Sequence, residues 1–74
     1  MASSTFIEIR RIVIEHRLNK SGFKVNDILK WINQNYNSGT VRNFIPKHAR
    51  VNVVYFERIG KIGSGLYRIK TKFL

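Results

Sequence analysis

The segment from Glu57 to Ile69 constrains the fold of this chain more than any other. It reads Glu-Arg-Ile-Gly-Lys-Ile-Gly-Ser-Gly-Leu-Tyr-Arg-Ile, so two apolar stretches flank a loop with glycine at positions 60, 63 and 65. Glycine adopts positive φ angles that other residues resist, and three glycines within six residues favour a tight connection between antiparallel strands. The segment therefore predicts a β-hairpin, whose loop carries Lys61 as its only charged side chain.

The length and composition of the chain indicate one small domain over residues 1–74. The sequence is 43% hydrophobic, contains nine aromatic residues and has no cysteine. A single core must therefore form without disulfides or thiolate metal sites. The first residues lack the features of a signal peptide, and no apolar run approaches the ~20 residues of a membrane span. We expect an intracellular, cytoplasmic protein that does not act at a membrane.

The positive charge is concentrated in the second half of the chain. Lys and Arg number 14 against 4 Asp and Glu, a net charge of +10. Residues 1–37 hold six basic and three acidic residues, a net of +3, and residues 38–74 hold eight and one, a net of +7. Such asymmetry favours a polyanionic partner, nucleic acid before an anionic membrane surface. The alternative is a solvated basic surface without a partner.

Two helices are predicted in the first half of the chain. The first has helical apolar spacing, is expected to be capped by Ser4 or Thr5, with Glu8 completing a capping box, and stops in the turn at 19–22. A short extended piece over 23–25 follows. Asn26 is then the expected cap of a second helix over about 26–36.

A third helix is expected over about 40–50, capped by Ser38 or Thr40. Apolar residues at i, i+3, i+4 and i+7 form one stripe: Val41, Phe44, Ile45 and His48. Pro46 stands at the seventh position, where its missing N–H and its ring predict a kink or a division into two pieces. His48 is interpreted as a histidine at the edge of the core.

Beyond Asn52 the apolar period changes to about two, which predicts strands. The first strand is expected over Val53–Ile59 and its partner over Leu66–Thr71. In the second strand, Tyr67 and Ile69 should share one face, with Arg68 on the other.

The third helix carries candidate nucleic-acid contacts away from its apolar stripe. They are Arg42, Asn43, Lys47 and Arg50. Arginine suits guanine edges and phosphates, asparagine suits adenine, and lysine suits phosphates. The alternative is an amphipathic surface helix whose exposed face is merely charged.

The hairpin offers a second set of contacts. Lys61, Ser64 and the backbone N–H groups of its loop can meet phosphates or enter a minor groove, with Arg58 and Arg68 beside them. Ile62 at the tip would touch a sugar, a base edge or a protein. The alternative is a plain hairpin that closes the core.

Catalysis finds little support in the sequence. The acidic residues Glu8, Glu15, Asp27 and Glu57 form no clustered pair, and the two histidines lie in separate helices. No nucleotide-binding fingerprint or zinc-ligand spacing is present. We expect no catalytic residues, no cofactor and no metal.

The order of the elements, Thr-Val-Arg at 40–42 and the sequence Arg-Ile-Gly-Lys-Ile-Gly-Ser-Gly-Leu-Tyr-Arg-Ile at 58–69 resemble a winged helix-turn-helix domain. This resemblance covers about residues 5–71. It implies an α+β fold of three helices and a small antiparallel hairpin, the wing, at about 58–69. The ending Gly-Leu-Tyr-Arg followed by a hydrophobic residue is also similar to small winged-helix modules that accompany restriction-type nucleases, although no nuclease residues are present.

The resemblance implies double-stranded DNA as the partner, with the third helix in the major groove and the wing along an adjacent groove. By position, Thr40, Arg42, Asn43 and Lys47 would be recognition residues, and Lys61 and Ser64 wing residues. Pro46 departs from the usual recognition helix and would turn Lys47 and Arg50 toward the DNA backbone.

The implied role is transcription regulation, with sequence-specific or semi-specific binding. The alternatives are RNA binding, a protein–protein winged helix, and an accessory subunit in restriction, plasmid or viral DNA handling. High specificity would require dimerisation, for which the first helix and the tail at 73–74 offer an apolar surface.

Overall fold

In a computed structural model, which describes residues 3–50, 55–61 and 63–74, the chain forms three α-helices and a two-stranded antiparallel sheet. The elements in chain order are α1 (Ser4–Glu15), α2 (Val25–Trp31), α3 (Ser38–Arg50), β1 (Phe56–Ile59), β2 (Leu66–Ile69) and a 3₁₀ turn (Thr71–Phe73). The predicted α+β class is confirmed. Within the described ranges, no helix is both long and apolar enough to cross a membrane.

One hydrophobic core joins the helices to the sheet. Helix α1 contributes residues at helical spacing, and the remaining side chains come from the other elements and from Phe23. The buried apolar residues are Phe6, Ile9, Ile12, Val13, Phe23, Ile28, Val41, Ile45, Phe56, Tyr67 and Ile69. Because every helix and both strands contribute, burial of this apolar surface fixes their arrangement.

The predicted hairpin is confirmed. Phe56 lies opposite Ile69 and Arg58 lies opposite Tyr67. Tyr67 and Ile69 face the core while Arg68 is exposed, as the alternation predicts. Strand β2 ends at Ile69, two residues before its predicted end, because Thr71 already belongs to the 3₁₀ turn. The predicted strand start at Val53 lies outside the described residues.

A third segment pairs with the free edge of β2. The Phe23 N–H donates to the Tyr67 carbonyl at 2.7 Å, and the Tyr67 N–H donates to the Phe23 carbonyl at 2.8 Å. The Asn19 side chain continues this edge: its Nδ2 donates to the Ile69 carbonyl at 3.1 Å and its Oδ1 accepts from the Ile69 N–H at 2.6 Å. Strand β2 is therefore bonded on both sides. The extended piece predicted over 23–25 is confirmed at Phe23, whereas Val25 already begins α2.

Both ends of α1 differ from the prediction. The N-cap is Ser3, whose Oγ accepts from the Phe6 N–H at 3.0 Å, so neither Ser4 nor Thr5 caps the helix. The helix ends at Glu15, well before Gly22, because Arg17 adopts a left-handed conformation with φ of 53°. Hydrogen bonds from the Leu18 and Arg17 N–H groups to carbonyls of the last turn close this end, in the manner of a Schellman motif.

Helix α2 begins one residue before Asn26 and ends five residues before the predicted position 36. Its N-cap is Lys24, whose backbone N–H donates to the Asp27 carboxylate at 2.9 Å. The helix stops because Ile32 is extended. Because the chain leaves the helix at Ile32, the Asn33 N–H can donate to the Glu8 carboxylate, at 3.1 Å.

Helix α3 is continuous through Pro46, so the predicted division into two pieces is wrong, and the alternative, a kink, stays a prediction. A proline at this position removes the helical donor to only one carbonyl, that of Arg42, an exposed residue at which water can supply the missing bond. The cap is Asn37 instead of Ser38 or Thr40. Its Oδ1 accepts from the Thr40 N–H at 3.0 Å.

Two histidines lie against aromatic rings at the edge of the core. The His48 ring is half-buried, with its centroid 4.1 Å from that of Phe44, which confirms the interpretation of His48. The His16 ring stacks on Trp31 at 3.9 Å and joins the ends of α1 and α2.

Glu8 does not form a capping box; it is a buried carboxylate within α1. Arg11 donates to both of its oxygens, at 2.7 and 3.0 Å, and the Asn33 N–H donates a third bond. The hydrogen bonds from Arg11 hold the pKa of Glu8 below its ordinary value of 4.5, although burial opposes this shift.

Removing the Asn19 side chain should destabilise the fold, since the Ile69 N–H and carbonyl would lose their partners at a partly buried site. We expect Asn19→Ala to lower the free energy of unfolding by about 2 kcal/mol, measured by urea denaturation. The control is Asn26→Ala, at an exposed helical position, with an effect below about 0.5 kcal/mol. Equal effects would show that Asn19 does not hold the edge of β2.

Acid should weaken the fold partly through Glu8. Because the pKa of Glu8 is lowered in the folded state, its stabilising contribution is complete above the unfolded-state pKa and is lost as the pH falls below about 4.5. We expect the free energy of unfolding to fall more steeply between about pH 5 and 3 in the wild type than in Glu8→Gln. Glu15→Gln, which alters the exposed partner of Arg11, should keep the wild-type slope. A Glu8→Gln slope equal to that of the wild type would contradict this assignment.

Candidate nucleic-acid interface

One side of α3 carries an exposed polar stripe. Thr40, Asn43, Lys47 and Arg50 follow one another at spacings of three, four and three residues, and all four are exposed. We call this set the α3 stripe. Val41 and Ile45 on the opposite side are fully buried. Since the helix is continuous over Ser38–Arg50, the helical spacing keeps Lys47 and Arg50 on the same side as Asn43.

Arg42 does not belong to the α3 stripe. It is exposed, but it lies one residue, or about 100° of helical rotation, from Asn43. A ligand that lies against the α3 stripe would therefore have Arg42 at one edge of the contact. Arg42 and Asn43, which the resemblance implies as recognition residues, therefore point to different sides of α3.

Aromatic contacts join α3 to the first strand of the hairpin. The Phe44 ring meets Phe56 edge-on at a centroid distance of 6.1 Å, and stacks with Tyr55, also at 6.1 Å. Asn37 holds the start of the helix. The α3 stripe and the hairpin are therefore attached to the same core.

The hairpin loop is built on left-handed glycine conformations. Gly60, Gly63 and Gly65 have φ of 79°, 88° and 71°. A Cβ added at Gly63 or Gly65 would meet no atom within 4 Å, so the backbone there borders open space. A shallow groove of about 440 Å³ lies along the loop, and Arg58 and Lys61 are among its lining residues.

The four hairpin candidates are not equivalent. The Ser64 hydroxyl donates to the Ile59 carbonyl at 3.2 Å, and the Ser64 N–H donates to the Lys61 carbonyl at 3.0 Å, so Ser64 shapes the loop. Arg68 is paired with Glu57, at 3.1 Å between Nε and Oε1. Lys61 is exposed on the loop. The prediction for Ile62 lies outside the described residues.

Arg58 lies over an aromatic ring. Its guanidinium carbon is 5.9 Å from the centroid of the Tyr67 ring, while the residue as a whole remains exposed. Such a contact restrains the side chain but leaves its N–H groups able to donate.

The ion pairs of the described residues do not involve the α3 stripe. Among residues 3–50, 55–61 and 63–74, the ion pairs join Arg11 to Glu8 and Glu15, and Arg68 to Glu57. The sequence of α3 contains no acidic residue. Among the same described residues, Lys47, Arg50, Arg58 and Lys61 take part in none of these ion pairs.

The pairing of Glu57 with Arg68 is the main feature of this surface that the sequence interpretation missed. A signal was present, because residues 57 and 68 are equally distant from the centre of the glycine loop, and such residues face each other in a hairpin. Glu57 reduces the charge that Arg68 can offer to a polyanion.

The side chains of this surface suit binding through hydrogen bonds and charge. In the part of the chain that the structure describes, no group of three or more His, Cys, Asp or Glu side chains is placed to hold a metal ion. The candidate residues are donors on an exposed, positively charged surface, which can meet an anionic ligand through hydrogen bonds and charge.

Comparisons of the chain with models of protein families, with curated proteins and with solved structures find no match. The function must therefore be inferred from the chain's own residues and geometry.

Proposed function

We propose that this chain is a winged helix-turn-helix domain that binds double-stranded DNA, with α3 in the major groove and the hairpin on the adjacent backbone. The order of elements supports this proposal: a helix, an extended pairing segment at Phe23, two helices, and two strands joined by a glycine loop. The position of β2 between β1 and Phe23 makes the hairpin part of a small sheet instead of an isolated arm.

The observation that carries the proposal is the α3 stripe. An α-helix with its side chains is about 10–12 Å across and enters a major groove about 12 Å wide. Exposed Asn43 can bond an adenine edge, while Lys47 and Arg50 can meet phosphates or guanine. The stripe spans the eleven residues from Thr40 to Arg50, or about 15 Å along the helix axis.

The hairpin acts in this proposal as a phosphate clamp. Lys61 and Arg58 supply charge at the groove of the loop, and the open backbone at Gly63 and Gly65 allows close approach. Contacts of this kind position a protein on DNA without reading its sequence. Sequence reading is therefore assigned to the α3 stripe, with Arg42 at its flank.

The biological role that we favour is regulation of transcription. A small domain that binds DNA and catalyses no reaction acts by occupying its site, and occupancy can control transcription. A part in restriction, plasmid or viral DNA handling is the second candidate role.

Charge reversal within the proposed interface should weaken DNA binding more than charge reversal elsewhere on the basic surface. We expect Lys47→Glu/Lys61→Glu to weaken binding to a short DNA duplex more than tenfold, because two phosphate contacts become repulsive. The matched control is Lys20→Glu/Lys30→Glu, which makes the same change in net charge at exposed positions outside the interface, with an effect below about threefold. Fluorescence anisotropy at fixed salt measures both.

Equal losses in the two double variants would contradict the placement of the interface. The same assay with duplex RNA and single strands at matched salt tests the nature of the ligand. Tighter binding to RNA than to duplex DNA would favour the RNA alternative, and absence of binding to any nucleic acid would favour a protein partner.

Releasing Arg68 should strengthen binding. In Glu57→Gln the carboxylate that pairs with Arg68 is lost, so one more cation can reach a phosphate. We expect a twofold to fivefold gain in duplex affinity and a salt slope steeper by about 0.9. Glu15→Gln makes the same change in net charge on α1 and should give less than half of that gain. If both variants gain equally, Arg68 does not contact DNA.

A further inference from the structure

We infer that the outer edge of β1, the edge that faces away from β2, contacts the DNA backbone, and that the backbone N–H of Arg58 donates to a phosphate there. This inference rests on the proposed function and deepens it, because it assigns a contact to a backbone group that no side-chain pattern reveals. The donor is identified by the hydrogen bonds that the rest of the hairpin already makes.

The backbone groups of β2 alternate between its two neighbours. Tyr67 exchanges both of its backbone hydrogen bonds with Phe23, at 2.7 and 2.8 Å. The N–H and carbonyl of Ile69 are bonded by the Asn19 side chain. The backbone groups of Tyr67 and Ile69 therefore point away from β1, and the alternate residues of β2 are the ones that bond β1.

This alternation fixes the direction of the Arg58 backbone. Arg58 lies opposite Tyr67 in the ladder. Because Tyr67 uses its N–H and carbonyl on the other side, the two residues exchange no hydrogen bonds, and the N–H and carbonyl of Arg58 point to the outer edge of β1. Glu57 and Ile59 point the opposite way, toward β2. Outside the ladder, the hydrogen bonds recorded for the described residues include none from the Arg58 N–H.

The accessible part of this edge is a single residue long. Phe56, the other residue of β1 whose backbone points outward, is fully buried, whereas Arg58 is exposed. A peptide strand or a second copy of the chain would dock by bonding several successive outward residues, and the four residues of β1 offer only one. A phosphate oxygen needs only one N–H, and the Arg58 carbonyl beside it can keep a water.

The Arg58 side chain adds positive charge on the side of the hairpin that faces α3. Residues two apart in a strand share a face, so Arg58 lies on the face that carries Phe56. The Phe56 ring meets the Phe44 ring of α3, with 6.1 Å between centroids. The Arg58 guanidinium lies over Tyr67 on this face, with 5.9 Å from its carbon to the ring centroid. An anion at the outer edge therefore lies close to a restrained cation.

Arg68 provides a contrast within the same hairpin. It is exposed between the core residues Tyr67 and Ile69, so its side chain lies on the opposite face from Arg58. Its Nε is paired with Glu57 Oε1 at 3.1 Å, and its backbone groups point toward β1. Arg68 thus has neither the outward N–H nor the position of Arg58, and it serves as the matched control.

Amide hydrogen exchange of the full chain, followed by NMR with and without a short DNA duplex, tests the backbone contact. In the free protein, the Arg58 amide should exchange at least about tenfold faster than the Glu57 and Ile59 amides, which bond β2. At saturating duplex, exchange of the Arg58 amide should slow at least about fivefold, because a phosphate accepts its hydrogen bond.

Matched substitutions test the guanidinium by fluorescence anisotropy. Arg58→Gln should weaken duplex affinity about fivefold and lower the salt slope by about 0.9, because one phosphate contact is lost. Arg68→Gln makes the same change in net charge and should weaken affinity less than about twofold. Arg58→Lys should keep the wild-type salt slope but lose about twofold in affinity, since lysine lacks the planar group that lies over Tyr67. Circular dichroism should show equal melting temperatures for all three variants.

The failure of this inference can be told from failure of the proposed function. A chain that binds no duplex would overturn the proposed function and this inference with it. Duplex binding that leaves the Arg58 amide exchanging at its free rate would overturn this inference alone. Equal losses of affinity in Arg58→Gln and Arg68→Gln would do the same, because they would show that DNA does not distinguish the two faces of the hairpin.

Discussion

Strand β2 is hydrogen-bonded along both edges, and the rest of the structure depends on that double pairing. On one side it pairs with β1, and on the other with Phe23 and the side chain of Asn19. A two-stranded hairpin alone is marginal in water, so the added partners tie the glycine loop to the connection between α1 and α2. Tyr67 and Ile69 then enter the core against which α3 lies. The hairpin and the α3 stripe are thereby held on one small body.

The sequence pattern predicted those parts of the fold that neighbouring residues determine. The hairpin follows from glycines at 60, 63 and 65 between alternating strands, and the buried side of α3 follows from its apolar spacing. Helix ends were predicted poorly, because a distant contact decides one of them and an unusual backbone conformation another. The amide of Asn33 leaves the helical pattern to reach Glu8, and Arg17 accepts a left-handed conformation usually left to glycine. Pro46 does not divide α3, since the loss of one hydrogen bond at an exposed turn is outweighed by the burial of the helix on its other side.

The candidate site shows the same division. Exposure of Thr40, Asn43, Lys47 and Arg50 could be predicted, because an amphipathic helix places them opposite its buried stripe. Composition could not predict which hairpin side chains are bonded within the chain. The Glu57–Arg68 ion pair and the Ser64 hydrogen bond depend on strand register. The structure also separates two surfaces: a neutral, partly apolar α1 and a basic α3 with its hairpin. We propose that the second surface binds DNA.

The most direct test of this account is an NMR titration of the chain with a random DNA duplex, followed through backbone amide shifts. The account predicts that the largest changes fall on the α3 stripe and on the loop around Lys61, Gly63 and Gly65, while α1 changes little. Shifts confined to α1, with α3 and the hairpin unaffected at saturating duplex, would contradict it.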